Sequence, residues 1–156
     1  MTKATEEKKE LINAKTLKLK EFLEANKIEC FEMQELQDEN ETAVFRSRMQ
    51  VKGQVLPFAI LIDKSVYTLL QVQLAPAIAK NEIFLKIAEF INALNNNYRL
   101  FKFSVSADGD LLLNACLTSK DNNFDPELVN AILGETLKFL EKEYAEIMEK
   151  IWKECK

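Results

Sequence analysis

Proton transfer near neutral pH leans on histidine, and this chain of 156 residues has none. That removes Ser-His-Asp and Cys-His nucleophilic machinery from within the chain, and with it the histidine-bearing zinc sites. Three cysteines remain: Cys30, Cys116 and Cys155. An odd number at wide spacing forms neither a disulfide framework nor a local metal motif. Cys30 and Cys116 read as structural thiols that pack like small hydrophobes, and Cys155 as an exposed, inert one. Carboxylates are the only plentiful acid-base groups. Glu82, Glu89, Asp108, Asp110 and Asp121 offer pairs in principle, but an acid-base enzyme needs one carboxyl perturbed by burial. Asp108 and Asp110 flank Gly109, so turn chemistry already explains them. With three glycines in the chain, phosphate-cradling GxGxxG and GxxxxGK loops are absent. The expectation is a non-enzyme, with no catalytic, cofactor-binding or metal-ligating residue.

The basic residues suggest anion or acidic-peptide binding at Arg46 and Arg48, and at Arg99 and Lys102. Keeping a sheet face or edge soluble is the simpler role for all four. The apolar residues carry the stronger signal. Tyr144, Ile147, Met148, Ile151 and Trp152 lie late in a long helical pattern. Trp, Tyr and Met are enriched where proteins meet, which makes these five the candidate partner interface.

Composition bounds the rest. At 47% apolar and 29% charged residues, the chain can bury a full core and solvate its surface. The formal net charge of −4 is spread over both halves, with no basic patch, which argues against nucleic acid. The acidic, polar N-terminus lacks the apolar core of a secretory signal. The longest apolar run, residues 55–62, is far short of the roughly 20 residues needed to cross a bilayer. A cytoplasmic protein without membrane partners is expected.

The elements follow from periodicity. Residues 5–26 predict a helix on Leu11, Ile12, Leu19, Phe22 and Leu23. Four strands follow at 29–36, 42–51, 55–62 and 66–74. In the second, Ala43, Phe45, Met49 and Val51 face one side, and Arg46, Arg48 and Gln50 the other. Connections this short predict antiparallel hairpins. Asn81 is expected to cap a helix with the stripe Ile83, Phe84, Ile87, Phe90, Ile91 and Leu94, and Asn95-Asn96-Asn97 to end it. A second hairpin pairs Phe101, Phe103 and Val105 with Leu111, Leu113, Ala115 and Leu117. Asp108-Gly109 predicts a type I′ turn between them. Asp125 caps the last helix and Pro126 takes its first position. That helix runs to about residue 153, roughly 42 Å at 1.5 Å per residue, and so spans the sheet or outruns it. The order α-β-β-β-β-α-β-β-α describes a single α+β domain over 1–156. Its sheet is antiparallel and its helices pack mainly on one face. Some strands are apolar on both faces, so the second face is covered by a helix or by a partner subunit.

The run Phe90-Ile91-Asn92-Ala93-Leu94-Asn95, then Phe101-Lys102-Phe103-Ser104-Val105, then Asp108-Gly109-Asp110-Leu111-Leu112-Leu113, resembles the YbjN family of bacterial domains. The shared pattern is a helix ending in a Leu-Asn step, a strand with Lys-Phe, an Asp-Gly turn and an apolar strand. The element order resembles the type III secretion chaperone-like fold. The resemblance implies a cytoplasmic, non-enzymatic, dimeric domain that binds extended segments of other proteins, and it carries no catalytic residues. The leading expectation is therefore a protein-interaction module, chaperone-like or regulatory, acting as a homodimer on another polypeptide. The alternative is a domain that binds a small apolar ligand in a pocket between the sheet and the C-terminal helix. A carboxylate-based enzyme stands third.

Overall fold

The computed structural model describes residues 12–79 and 82–154. The elements are α1 (Ala14–Ala25), β1 (Glu32–Glu35), β2 (Ala43–Val51), β3 (Gln54–Ile62), β4 (Tyr67–Ala75), α2 (Phe84–Asn97), β5 (Phe101–Val105), β6 (Leu111–Thr118) and α3 (Pro126–Glu154), with one 3-10 turn at Asp121–Asn123. The expected order holds. The six strands form one antiparallel sheet in the order β1-β2-β3-β4-β6-β5.

Alternation decides which face is buried. Ala43, Phe45, Met49 and Val51 of β2 point inward, as do Leu56, Phe58, Ile60 and Ile62 of β3. Leu70, Val72 and Leu74 of β4 join them, with Leu111, Leu113 and Ala115 of β6. Leu19 and Leu23 of α1 enter the same core, as do Leu140, Ile147 and Ile151 of α3; Phe90, Ile91 and Leu94 of α2 pack against it. The helices thus share one face. Arg46, Arg48, Gln50, Val55, Pro57, Tyr67 and Cys116 point from the other and are exposed.

Three local expectations are corrected. The first helix begins at Ala14, because the Asn13 side chain accepts from the Thr16 N–H (2.8 Å) and caps it. Ile12 therefore lies ahead of the helix, and residues 5–11, with Leu11, lie outside the described residues, as do Asn81 and Cys155. Helix α2 starts later than expected, behind an N-cap at Ile83, and runs through all three asparagines to Asn97. The Asp108-Gly109 turn is not type I′, since only Gly109 has positive φ (+83°). Gly109 N–H donates to the Ser106 carbonyl (2.9 Å), and Ser106 N–H to the Asp110 carbonyl (3.0 Å). This is the longer hairpin loop in which a tight turn is followed by a left-handed glycine.

Two clusters lock the layers together. Asn95 reaches across to the outer edge of β5. Its Oδ1 accepts from the Phe103 N–H (2.6 Å), and its Nδ2 donates to the Phe103 carbonyl (3.0 Å). One carboxamide thus takes the place of a neighbouring strand and blocks an open edge. Beside it, Lys102 Nζ donates to the Asn95 and Tyr98 carbonyls (2.8 and 2.6 Å) at the end of α2. Phe139 of α3 stacks on Phe101 (4.5 Å) and meets Tyr98 edge-on (4.9 Å).

The second cluster centres on Lys15, which is 0% exposed. Its ammonium donates to the Ser65 and Tyr67 carbonyls, both at 2.8 Å, with Thr68 Oγ1 at 3.4 Å and the Phe124 ring at 6.0 Å. Burial pulls the Lys15 pKa below the usual lysine value, and the Asp63 and Asp121 carboxylates push it back up. Replacing Lys15 with alanine removes the donor and opens a cavity. We expect Lys15→Ala to lower unfolding free energy by about 3 kcal/mol in denaturant titration. A loss under about 0.5 kcal/mol would show that the ammonium is not what holds these turns.

Candidate binding groove at the split end of the sheet

Strands β3 and β4 pair from Phe58↔Val72 to Ile62↔Thr68 and no further. Beyond that point each strand keeps its other neighbour. Residues 54–57 of β3 pair with β2, and Gln73 and Ala75 of β4 pair with β6. The sheet is therefore split at one end between two of its central strands. The sequence supplies two causes. Pro57 has no N–H to offer a neighbour, and it lies at the residue where pairing stops. A register shift between Gln73 and Ala75 leaves Leu74 without a partner in either register and bends β4 away from β3.

The split opens into a groove of about 580 Å³. Its walls are residues 54–57 and 73–76, and α3 closes it from the helical side with Tyr144, Met148 and Trp152. Among the described residues no charged side chain lines it; their polar groups are the Gln54 and Gln73 amides, the Tyr144 hydroxyl and the Trp152 indole. Tyr144 Oη lies 3.5 Å from the Leu74 carbonyl, a long contact to a main-chain acceptor. Trp152 is 59% exposed at the rim.

The Asp-Gly hairpin braces one wall. Asp110 accepts from the Ala77 N–H (2.8 Å) and from the Gln73 side chain (3.0 Å) through its two carboxylate oxygens. Ala79 N–H donates to the Gly109 carbonyl (3.1 Å). A Cβ on Gly109 would come within 2.7 Å of the Ala79 carbonyl oxygen, so the close approach and the positive φ both require glycine there.

The five candidate interface residues separate into two sets. Ile147 and Ile151 are 3% and 1% exposed and belong to the core. Tyr144, Met148 and Trp152 line the groove, Met148 with most of its surface buried. Helix α3 keeps an apolar residue in the core up to Ile151, three residues from its end, so its last turns lie along the sheet rather than project past it.

The remaining candidates are not brought together. Cys30 and Cys116 are both exposed, Cys116 on the sheet face opposite the described helices, so neither is the buried thiol expected from sequence. Glu82, Glu89, Asp108 and Asp121 are exposed, Asp110 is half-buried in its turn, and only Asp110 touches a groove residue. Among the described residues no cluster of cysteines and carboxylates has metal-site geometry, and no helix is long and apolar enough to cross a membrane. Arg46 donates to Gln34 on the outward face (2.7 Å), and Lys102 is taken up by the end of α2. Compared with known proteins, the chain matches no family model and no characterised relative.

Burial raises the Tyr144 pKa above its usual 10.0. The folded chain then keeps this proton after the unfolded chain has lost it. The associated stability is whole below about pH 10 and is lost as pH climbs through the folded value. Burial also raises Tyr98, so the comparison with Tyr144→Phe isolates Tyr144. We expect the variant to lose less stability than the parent between pH 9 and 11, roughly. Equal slopes would place the phenol in free solvent.

Proposed function

We propose that this chain is a non-enzymatic protein-interaction module, chaperone-like or regulatory, that binds another polypeptide and works as a homodimer in the bacterial cytoplasm. The observation that carries this reading is the groove. It joins unpaired strand residues to a tyrosine, a methionine and a half-exposed tryptophan, with no charged side chain among the described residues of its lining. These residue types anchor protein interfaces, and none of the described lining side chains is a carboxylate, lysine, cysteine or serine that would offer acid-base or nucleophilic chemistry. The YbjN-like pattern and the type III secretion chaperone-like element order point the same way. The sheet face opposite the described helices supports dimerisation, since Tyr67, Val55 and Pro57 lie exposed on it beside half-buried Leu61 and Leu69.

A second reading rests on the groove's size. A volume of about 580 Å³ between sheet and C-terminal helix falls within the range of roughly 300–1,000 Å³ that small-molecule sites occupy. An apolar small ligand is therefore the alternative occupant.

A photo-crosslinking residue in place of Trp152 separates the two. We expect irradiation in the native cytoplasm to join the chain to another polypeptide, while the same probe at Lys138, exposed elsewhere on α3, captures nothing. Adducts of small-molecule mass would favour the second reading, and equal capture at both positions would remove the groove from the proposal. Light scattering at micromolar concentration should give twice the chain mass, whereas a monomer would end the homodimer part.

A further inference from the structure

The split does more than leave an apolar hollow. Inside an antiparallel sheet, main-chain groups ordinarily find partners on both sides, because an unmet buried carbonyl or N–H costs about as much as a lost hydrogen bond. Here Leu74 has no register partner in either ladder, although the residue is buried at 3% exposure, and its carbonyl takes a long contact from the Tyr144 hydroxyl. Across the gap, β3 offers a poorer edge because Pro57 interrupts its donors. The two walls are therefore unequal, with β4 able to accept a further strand and β3 unable to match it. The described side chains around the gap are apolar or neutral, so a charged guest residue would be desolvated among them without a partner.

We infer that the occupant is a short extended segment of another polypeptide, uncharged and apolar at alternate positions, which adds as a strand to β4 at Leu74. This rests on the protein-interaction reading above and names the partner's chemistry. A guest N–H donates to the Leu74 carbonyl in place of the Tyr144 hydroxyl. A guest side chain enters between Tyr144, Met148 and Trp152, and the next points out through the split towards the opposite face of the sheet. About four residues, at roughly 3.3 Å each, fill the unpaired length. Main-chain pairing supplies the register, and the neutral lining supplies selectivity against charge.

The test uses blocked pentapeptides of alternating valine and threonine, titrated to millimolar concentration into the intact, isotopically labelled chain. The readouts are the amide resonances of Gln73, Leu74 and Ala75 and the indole resonance of the single tryptophan, Trp152. Saturable shifts at these groups are expected. The same peptide with every backbone nitrogen methylated keeps its side chains but has no N–H, and it should bind at least about tenfold more weakly, the equivalent of one lost hydrogen bond. Replacing its valines with glutamate should weaken binding by a similar factor. Trp152→Ala, at an exposed position, should weaken the parent peptide without unfolding the chain. Equal binding of the methylated peptide would overturn the inference, since apolar burial alone would then hold the guest. Shifts with 1-decanol and none with peptide would overturn it in favour of a small apolar ligand. If crosslinks to a polypeptide form at position 152 while the peptides fail, the interaction reading survives and strand addition does not.

Discussion

One buried ammonium organises the end of the molecule opposite the split. Lys15 leaves α1 in its first turn and finds two carbonyls at the start of β4. A lysine carried so far from water is costly unless all its protons find acceptors. Here the acceptors belong to a turn distant in sequence, so meeting that requirement fixes α1 against the β3–β4 connection. Its neighbours repeat the pattern. Asn13 donates to the Glu41 carbonyl (2.8 Å), and Lys18 donates to the Asp121 carbonyl (2.6 Å). Three connections, between β1 and β2, β3 and β4, and β6 and α3, are thereby tied to one helix terminus. With that end fixed, β3 and β4 can pair from Ile62↔Thr68 inward, and the loss of pairing is confined to the other end.

Much of this was legible in the residues. Alternation in β2 identified the buried face, because Arg46, Arg48 and Gln50 share the other side, whereas β3, apolar on both faces, gave no such sign. Asp125 and Pro126 announced α3, and the Asp125 side chain does accept from the Glu127 N–H (2.9 Å). These features depend on neighbours close in sequence. What escaped depends on neighbours far away. The cysteine at 116 looks like a core residue until the described helices are seen to lie on the opposite face of the sheet. The split was signalled by Pro57 inside an apolar run, but a proline alone does not reveal which of two flanking strands will be lost. That choice follows from the register shift at Leu74, which alternation alone cannot locate.

The residues behind the family resemblance acquire physical roles of their own. The Leu-Asn step matters because Asn95 closes the outer edge of β5. The Lys-Phe pair matters because Lys102 caps α2 and Phe103 supplies both main-chain groups that Asn95 holds. The Asp-Gly turn matters because Asp110 and Gly109 hold the segment that walls the groove. A pattern recognised as a string of letters is thus a set of hydrogen bonds that close one edge of the sheet and steady its open end.

Helix α3 has a consequence of a different kind. Ile147 and Ile151 serve the core, while Met148 and Trp152, each one position further on, serve the groove. Two surfaces with separate purposes are therefore read from a single ruler, about 100° apart in phase. Inserting one residue upstream in the helix would rotate both sets together, sending core isoleucines into the groove and groove residues elsewhere, and deleting one would turn the groove residues into the core. The core and the groove can diversify by substitution, but they cannot change length independently of each other.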